Sequence, residues 1–156
     1  MKRKLTAILF FLLLPISLSP FSPAAATDRG ISGRWYTYDD HSGERRSIVV
    51  LEKLDHRLVG RIEKVFFKPG DEKKCSKCTG EKKDQDVEGL EIISGLTEKD
   101  GIWQGGTILD PENGKEYTCR IRQNGDELEV KGYLFIFYRT QTWKRCPENE
   151  DLSPPR

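Results

Sequence analysis

Apolar residues recur along this chain at every second position far more often than at helical spacing, and that alternation predicts strands. Eight stretches qualify: residues 34–38, 47–53, 57–66, 90–94, 102–109, 116–122, 127–133 and 140–145, each short and rich in Val, Ile, Thr, Tyr or Trp. Two of them alternate cleanly. Leu128, Val130 and Gly132 oppose Glu127, Glu129 and Lys131, while Tyr117, Cys119 and Ile121 oppose Thr118, Arg120 and Arg122, so each strand has a dry and a wet face. Asp-Gly at 100–101 and Asn-Gly at 113–114 and 124–125 supply turn chemistry between strands. No stretch offers the crossover helix that a parallel sheet needs, so the strands should join as antiparallel hairpins. Closing eight of them into an up-and-down barrel removes two unpaired edges; a two-sheet sandwich is the alternative.

Residues 1–26 break the pattern. Lys2, Arg3 and Lys4 precede a ten-residue apolar run at 5–14 ended by Pro15, and Ala24, Ala25 and Ala26 offer small residues for cleavage, the layout of an export signal. As helix the run rises about 15 Å, half a bilayer core, so a membrane-spanning anchor is not expected. The barrel domain then covers residues 27–146, and the polar, Pro-rich tail at 147–156 is expected to be disordered. With 26 Lys plus Arg spread evenly among 25 Asp plus Glu, the chain has no electrostatic footprint for nucleic acid.

Gly33-Arg34-Trp35 resembles the Gly-x-Trp signature of lipocalins. Five segments together carry a more specific likeness: GRWYTYDDHSGERRSIV (33–49), KPGDEKKCSKCTGEKK (68–83), GLEII (89–93), WQGGTILDPENGKEYTC (103–119) and RTQTW (139–143). They resemble the domain of unknown function 2147 family of exported bacterial proteins. The resemblance implies an all-β, lipocalin-like barrel and no established activity.

Up-and-down topology forces successive turns to alternate between the two ends. If the first strand runs upward, residues 39–45, 67–89, 110–115 and 134–139 form the top rim, and 54–56, 95–101 and 124–126 form the bottom. The one long loop and the one aromatic connection thus share a rim, as expected of an open mouth above a closed base. An eight-stranded barrel is just wide enough to be filled by side chains or to hold one small ligand.

Candidate site residues follow from period two. If Trp143 points inward, so do Arg139, Gln141 and Arg145. Arg145 then meets Trp35 at the base, where a guanidinium over an indole is worth about 1 kcal/mol; this resembles the Trp and Arg pairing at the base of lipocalins. Arg139 and Gln141 lie higher, as a fork for the carboxylate of a fatty-acid-like ligand. The alternative is that Arg139 pairs with a protein carboxylate or reaches solvent. Tyr117, Ile121 and Val130 on inner faces, with Phe135 and Phe137, complete the candidate ligand set. Phe135 and Phe137 belong to the run Tyr133-Leu134-Phe135-Ile136-Phe137-Tyr138, apolar where a connection should be polar. We expect it to plug the barrel's own end, since large apolar residues are usually satisfied internally; the alternatives are a greasy lip for a ligand or a docking patch for an envelope protein.

Four Cys in an exported chain should be oxidised, and Cys75 with Cys78 and Cys119 with Cys146 is the expected pairing. A redox role for Cys75-Ser76-Lys77-Cys78 lacks a helix N-terminus and a βαβ setting, and a zinc role lacks a second ligand pair. His41 and His56 fall at opposite ends, and Asp110 and Glu112 flank Pro111 in a tight turn suited to capping backbone N–H groups. No hydrolase, metalloprotease, P-loop or dinucleotide signature is present. The expectation is an exported, non-enzymatic barrel that binds a small apolar or amphipathic molecule, without cofactor or metal. An envelope interaction module with a filled barrel and a thiol-disulfide protein built on Cys75 and Cys78 are the alternatives.

Overall fold

Strands with one apolar face cannot stand alone in water; eight of them satisfy both backbone and side chains by curling the sheet until its first and last members pair. The computed structural model describes residues 30–150 and 152 and has this arrangement; the expected export signal at 1–26 lies outside the described residues. In chain order the elements are β1 (Gly33–Tyr38), β2 (Arg45–Leu54), β3 (Arg57–Val65), a single 3-10 turn (Gly80–Lys82), β4 (Glu91–Lys99), β5 (Ile102–Asp110), β6 (Lys115–Asn124), β7 (Glu127–Leu134) and β8 (Phe137–Arg145). Each strand pairs with the next, and β1 pairs with β8, giving a closed antiparallel barrel. The sandwich alternative is excluded.

The strand boundaries differ from expectation at three places. β4 runs on to Lys99, so the expected seven-residue bottom connection shrinks to Asp100 and Gly101, both at positive φ. β7 and β8 meet across a two-residue turn, Phe135 and Ile136, with Leu134 paired to Phe137. The third difference is the C-terminal segment, expected to be disordered. Over its described residues it packs instead: Arg34 donates to the Glu148 carbonyl, Arg45 pairs with Glu150 at 3.2 Å, and Leu152 sits against Tyr36 and Ile48. A polar, Pro-rich composition argues against a core of its own, but not against being strapped to the outside of a barrel.

Inner-face parity follows the alternation read from sequence on β6 and β7, and slips on β4 and β5, where Ile93 and Leu96 are both buried and the register shifts between Gln104 and Gly106. Trp35, Val49, Leu51, Leu58, Ile93, Leu96, Ile121, Leu128 and Trp143 are shielded almost completely from solvent. Burial of each such side chain stabilises by roughly 1.5–3 kcal/mol. These residues fill the lower barrel. Two clefts of about 210 and 240 Å³ open on the outer wall, lined chiefly by outward-facing residues such as Val50, Val59 and Arg61 or Gln104, Thr118 and Tyr133.

The 67–89 connection joins the buried core cluster of the barrel through Cys75, Cys78 and Val87. Cys75 and Cys78 are joined by a disulfide with a Cα–Cα distance of 5.3 Å, and both are buried. Gly114, at φ +70 in the β5–β6 turn, lies so close that an added Cβ would meet the Lys77 carbonyl oxygen at 2.0 Å. The other expected pair does not form: Cys119 and Cys146 are both free and buried. Cys119 belongs to the inner core, whereas Cys146 packs with Tyr36 and Ile48 on the opposite side of the wall. A sheet separates the two thiols.

Candidate functional site

The two ends of the barrel are built differently. At the base, Gly33 adopts φ +121, a conformation that L side chains rarely enter, and turns the chain into β1 with Trp35 facing inward. The Arg145 guanidinium lies over the Trp35 ring at 4.1 Å from its centroid. The same guanidinium donates to Asp126 at 2.8 Å and to the carbonyls of Gly30 and Ser32 at 2.7 and 3.4 Å. The Trp35 indole N–H donates to the Ile31 carbonyl at 2.9 Å. The Trp35 indole and the Arg145 guanidinium are thus both partnered, and together they close the base.

At the mouth the inner face turns polar. β7 and β8 pair in the register Leu128↔Trp143, Val130↔Gln141 and Gly132↔Arg139, which sets Gln141 and Arg139 above Trp143 on the inner face. The Trp143 indole N–H donates to the Gln141 side-chain oxygen at 3.2 Å, and the Gln141 amide donates to Asp40 at 2.8 Å. Arg139 donates to Asp40 through Nε, and its Nη1 lies 3.9 Å from an Asp110 oxygen. Thr37 on β1 and Ser47 on β2, the next strands round the barrel from β8, meet through a 2.7 Å hydroxyl contact. The result is a hydrogen-bonded chain from the buried indole up to the rim.

Electrostatics ties this chain together. Burial raises the Asp40 pKa, but the hydrogen bonds from Arg139 and Gln141 outweigh it and hold the carboxyl below its ordinary value. The hydrogen bond to Asp40 holds the Arg139 guanidinium more firmly charged than usual. Arg139 therefore takes the protein-carboxylate partner that was the alternative to a ligand head group. It remains accessible, with 57% of its side chain exposed. A ligand carboxylate at this position has to share the guanidinium with Asp40 or displace it.

The candidate ligand set separates into three groups. Arg139 and Gln141 meet on Asp40 at the mouth, while Tyr117 accepts from the Asn113 side chain at 3.0 Å and lies beside Gly132 and Ile108. Ile121 and Val130 are sealed in the core below. Phe135 and Phe137 are 95% and 72% exposed, on a hairpin tip that leaves the lumen. The expected plug is thereby overturned. β6–β7 pairing stops at Tyr133 and β1–β8 pairing at Lys144, so the tip has no wall on either side to fold against. Asp110, as expected, caps its turn, accepting from the Glu112 N–H and the Asn113 amide at 2.9 Å each. His41 and His56 lie in turns at opposite ends, β1–β2 and β2–β3. Burial pushes the Cys119 thiol up to about 12, which leaves it protonated and unreactive. Among the described residues no group of three or more His, Cys, Asp or Glu is placed to hold a metal ion, and no helix is long and apolar enough to cross a membrane.

A family model described as an uncharacterized protein conserved in bacteria (DUF2147) matches residues 33–145, from the glycine that opens β1 to the arginine that closes the base. The chain belongs to this family. A comparison with curated proteins gave no match. Among solved structures, this DUF2147 protein is similar to one described as protein HP1028 from the human pathogen Helicobacter pylori, belonging to the lipocalin family. The TM-score is 0.65 at 20% identity, over 76% of this chain and 84% of that one. At that identity the likeness establishes a shared lipocalin-like fold.

Sequence reasoning missed Asp40, the hub of the mouth. The signal was present: extending the closing register Trp35↔Arg145 by five residues sets Asp40 opposite Thr140, between Arg139 and Gln141.

Proposed function

We propose that this is an exported, non-catalytic, lipocalin-like module that receives a small amphipathic molecule at its mouth instead of deep in its lumen. The observation that carries this reading is the Arg139, Asp40 and Gln141 cluster. These polar groups face inward at the open end, above a lower barrel already filled by Trp35, Trp143, Leu128 and their neighbours. Arg139 and Gln141 supply donors for a carboxylate or similar head group, and Tyr117, Ile108 and the gap left by Gly132 supply a shallow apolar floor. A fatty-acid-like molecule fits this chemistry, with its head on the cluster and its chain directed outward along the rim. The disulfide at Cys75 and Cys78 supports an oxidising compartment and hence export, together with the basic and apolar start of the chain. Burial of both sulfurs argues against thiol-disulfide exchange.

Calorimetric titration with dodecanoate, below the concentration at which it forms micelles, tests the reading. Binding to the wild-type protein is expected, weakened about tenfold or more in Arg139→Ala, because one charge-assisted hydrogen bond is worth about that factor. Equal affinities, or no binding to the wild type, would overturn it.

A further inference from the structure

The β7–β8 tip carries a second property that the mouth cluster does not use. Leu134, Phe135, Ile136, Phe137 and Tyr138 are all solvent-exposed, Phe135 at 95% and Ile136 at 85%. They form a convex spike. Leu134 and Phe137 are cross-strand partners on one face, while Tyr133 and Tyr138 stack on the other with ring centroids 6.0 Å apart. Phe135 also occupies φ 57, a conformation that favours glycine or asparagine, so a bulky aromatic stands at the tip against the preference of its own backbone.

We infer that this hairpin is an interfacial anchor that inserts into a lipid surface and seats the mouth of the barrel against it. Three observations select a lipid surface over a protein. First, apolar side chains point to both faces and off the end, a shape that a fluid acyl layer surrounds without needing a matching groove. Second, the apolar character ends abruptly at Arg139, and the other loops at the same end are charged: Asp39, Asp40, Glu44, Arg45, Lys68, Asp110 and Glu112. An apolar tip below a charged collar matches the layering of a membrane interface, whereas a protein partner would have to bury the collar as well. Third, the distance from Arg139 to the turn is about three residues, or roughly 10 Å of strand, which matches the depth to which interfacial segments sink.

The collar also fixes the class of lipid. Its charges are paired within the protein, Lys68 with Glu44 at 2.7 Å, Arg46 with Asp71 and Glu112 at 2.5 and 2.9 Å, and Arg139 with Asp40. With no surplus of cations on the rim, attachment should depend on apolar insertion and not on anionic lipid. This inference does not rest on the fatty-acid reading, since a barrel with an empty mouth could still anchor.

Flotation with vesicles of phosphatidylcholine alone, and with about one third phosphatidylglycerol, tests it at low and high salt. The wild-type protein is expected to float with both, with less than about a threefold difference between lipids or salt concentrations. Phe135→Asn relieves the backbone and so keeps the fold, and should lower partitioning about tenfold or more. The same variant should bind dodecanoate as the wild type does, which separates this inference from the mouth reading. Three results would overturn it: no flotation of wild type, undiminished flotation of Phe135→Asn, or a concentration-dependent dimer that Phe135→Asn abolishes without any attachment to vesicles.

Discussion

Arg145 and Arg139 stand on the same face of the same strand, six residues apart, and do opposite work. Arg145, 9% exposed, is fixed by a carboxylate, two backbone carbonyls and an indole face, while Arg139, 57% exposed, leans on Asp40 at a rim open to water. The difference lies in what surrounds them. A guanidinium desolvated among satisfied acceptors becomes part of the wall, and one left half in water stays available for exchange. The base is where the barrel is made, and the mouth is where it differs from a closed core.

Substitutions can break this contrast, beginning at the base. Trp35→Ala removes the largest base side chain and the surface beneath Arg145, and should cost about 3–5 kcal/mol in chemical denaturation. Arg145→Ala leaves the Gly30 and Ser32 carbonyls without that donor and uncovers the indole, and should cost about 2–4 kcal/mol. Gly114→Ala tests whether the mouth has a rigid part too. Its Cβ would collide with the Lys77 backbone at a residue already at positive φ, so a loss of about 1–3 kcal/mol is expected in the same measurement, with the disulfide intact. Arg139→Ala should cost less than about 1 kcal/mol, because its ion pair is screened by solvent. A loss at Arg139 as large as that at Arg145 would erase the distinction between the two ends.

The smallest effect concerns acid. A carboxyl whose folded pKa is depressed contributes stability that is fully present above its ordinary value of 3.8 and is lost as pH falls through the lower folded value. Asp40 should therefore release Gln141 only below pH 3.8, freeing the Trp143 indole from its partner. A tryptophan emission change at that pH, absent in Asp40→Asn, is the expected result.

The barrel was legible in sequence because parity is local. Leu128, Val130 and Tyr117, Cys119, Ile121 could be assigned to the inner face from alternation alone, and the Gly33-Arg34-Trp35 start placed Trp35 at the base. The same parity, carried one residue past Arg145, would have put Cys146 outside and forbidden its pairing with the inward Cys119. The hairpin tip misled for a different reason. Apolar residues are expected to find a core, but Phe135 and Ile136 sit beyond the last wall residues on both sides, a matter of relative strand length that alternation does not encode. Asp40 is the intermediate case: it lies inside the 33–49 segment that carries the family likeness, but only the closing register sets it between Arg139 and Gln141.

The claim that the mouth is the working end is tested most directly by mapping backbone amide shifts during titration with dodecanoate. The expected changes cluster at Asp40, Tyr117, Arg139 and Gln141, while the amides around Trp35, Leu128 and Arg145 stay still. Shifts centred on Ile121, Val130 and Leu128, with Arg139 and Gln141 unmoved, would contradict it and place the ligand in the filled lumen.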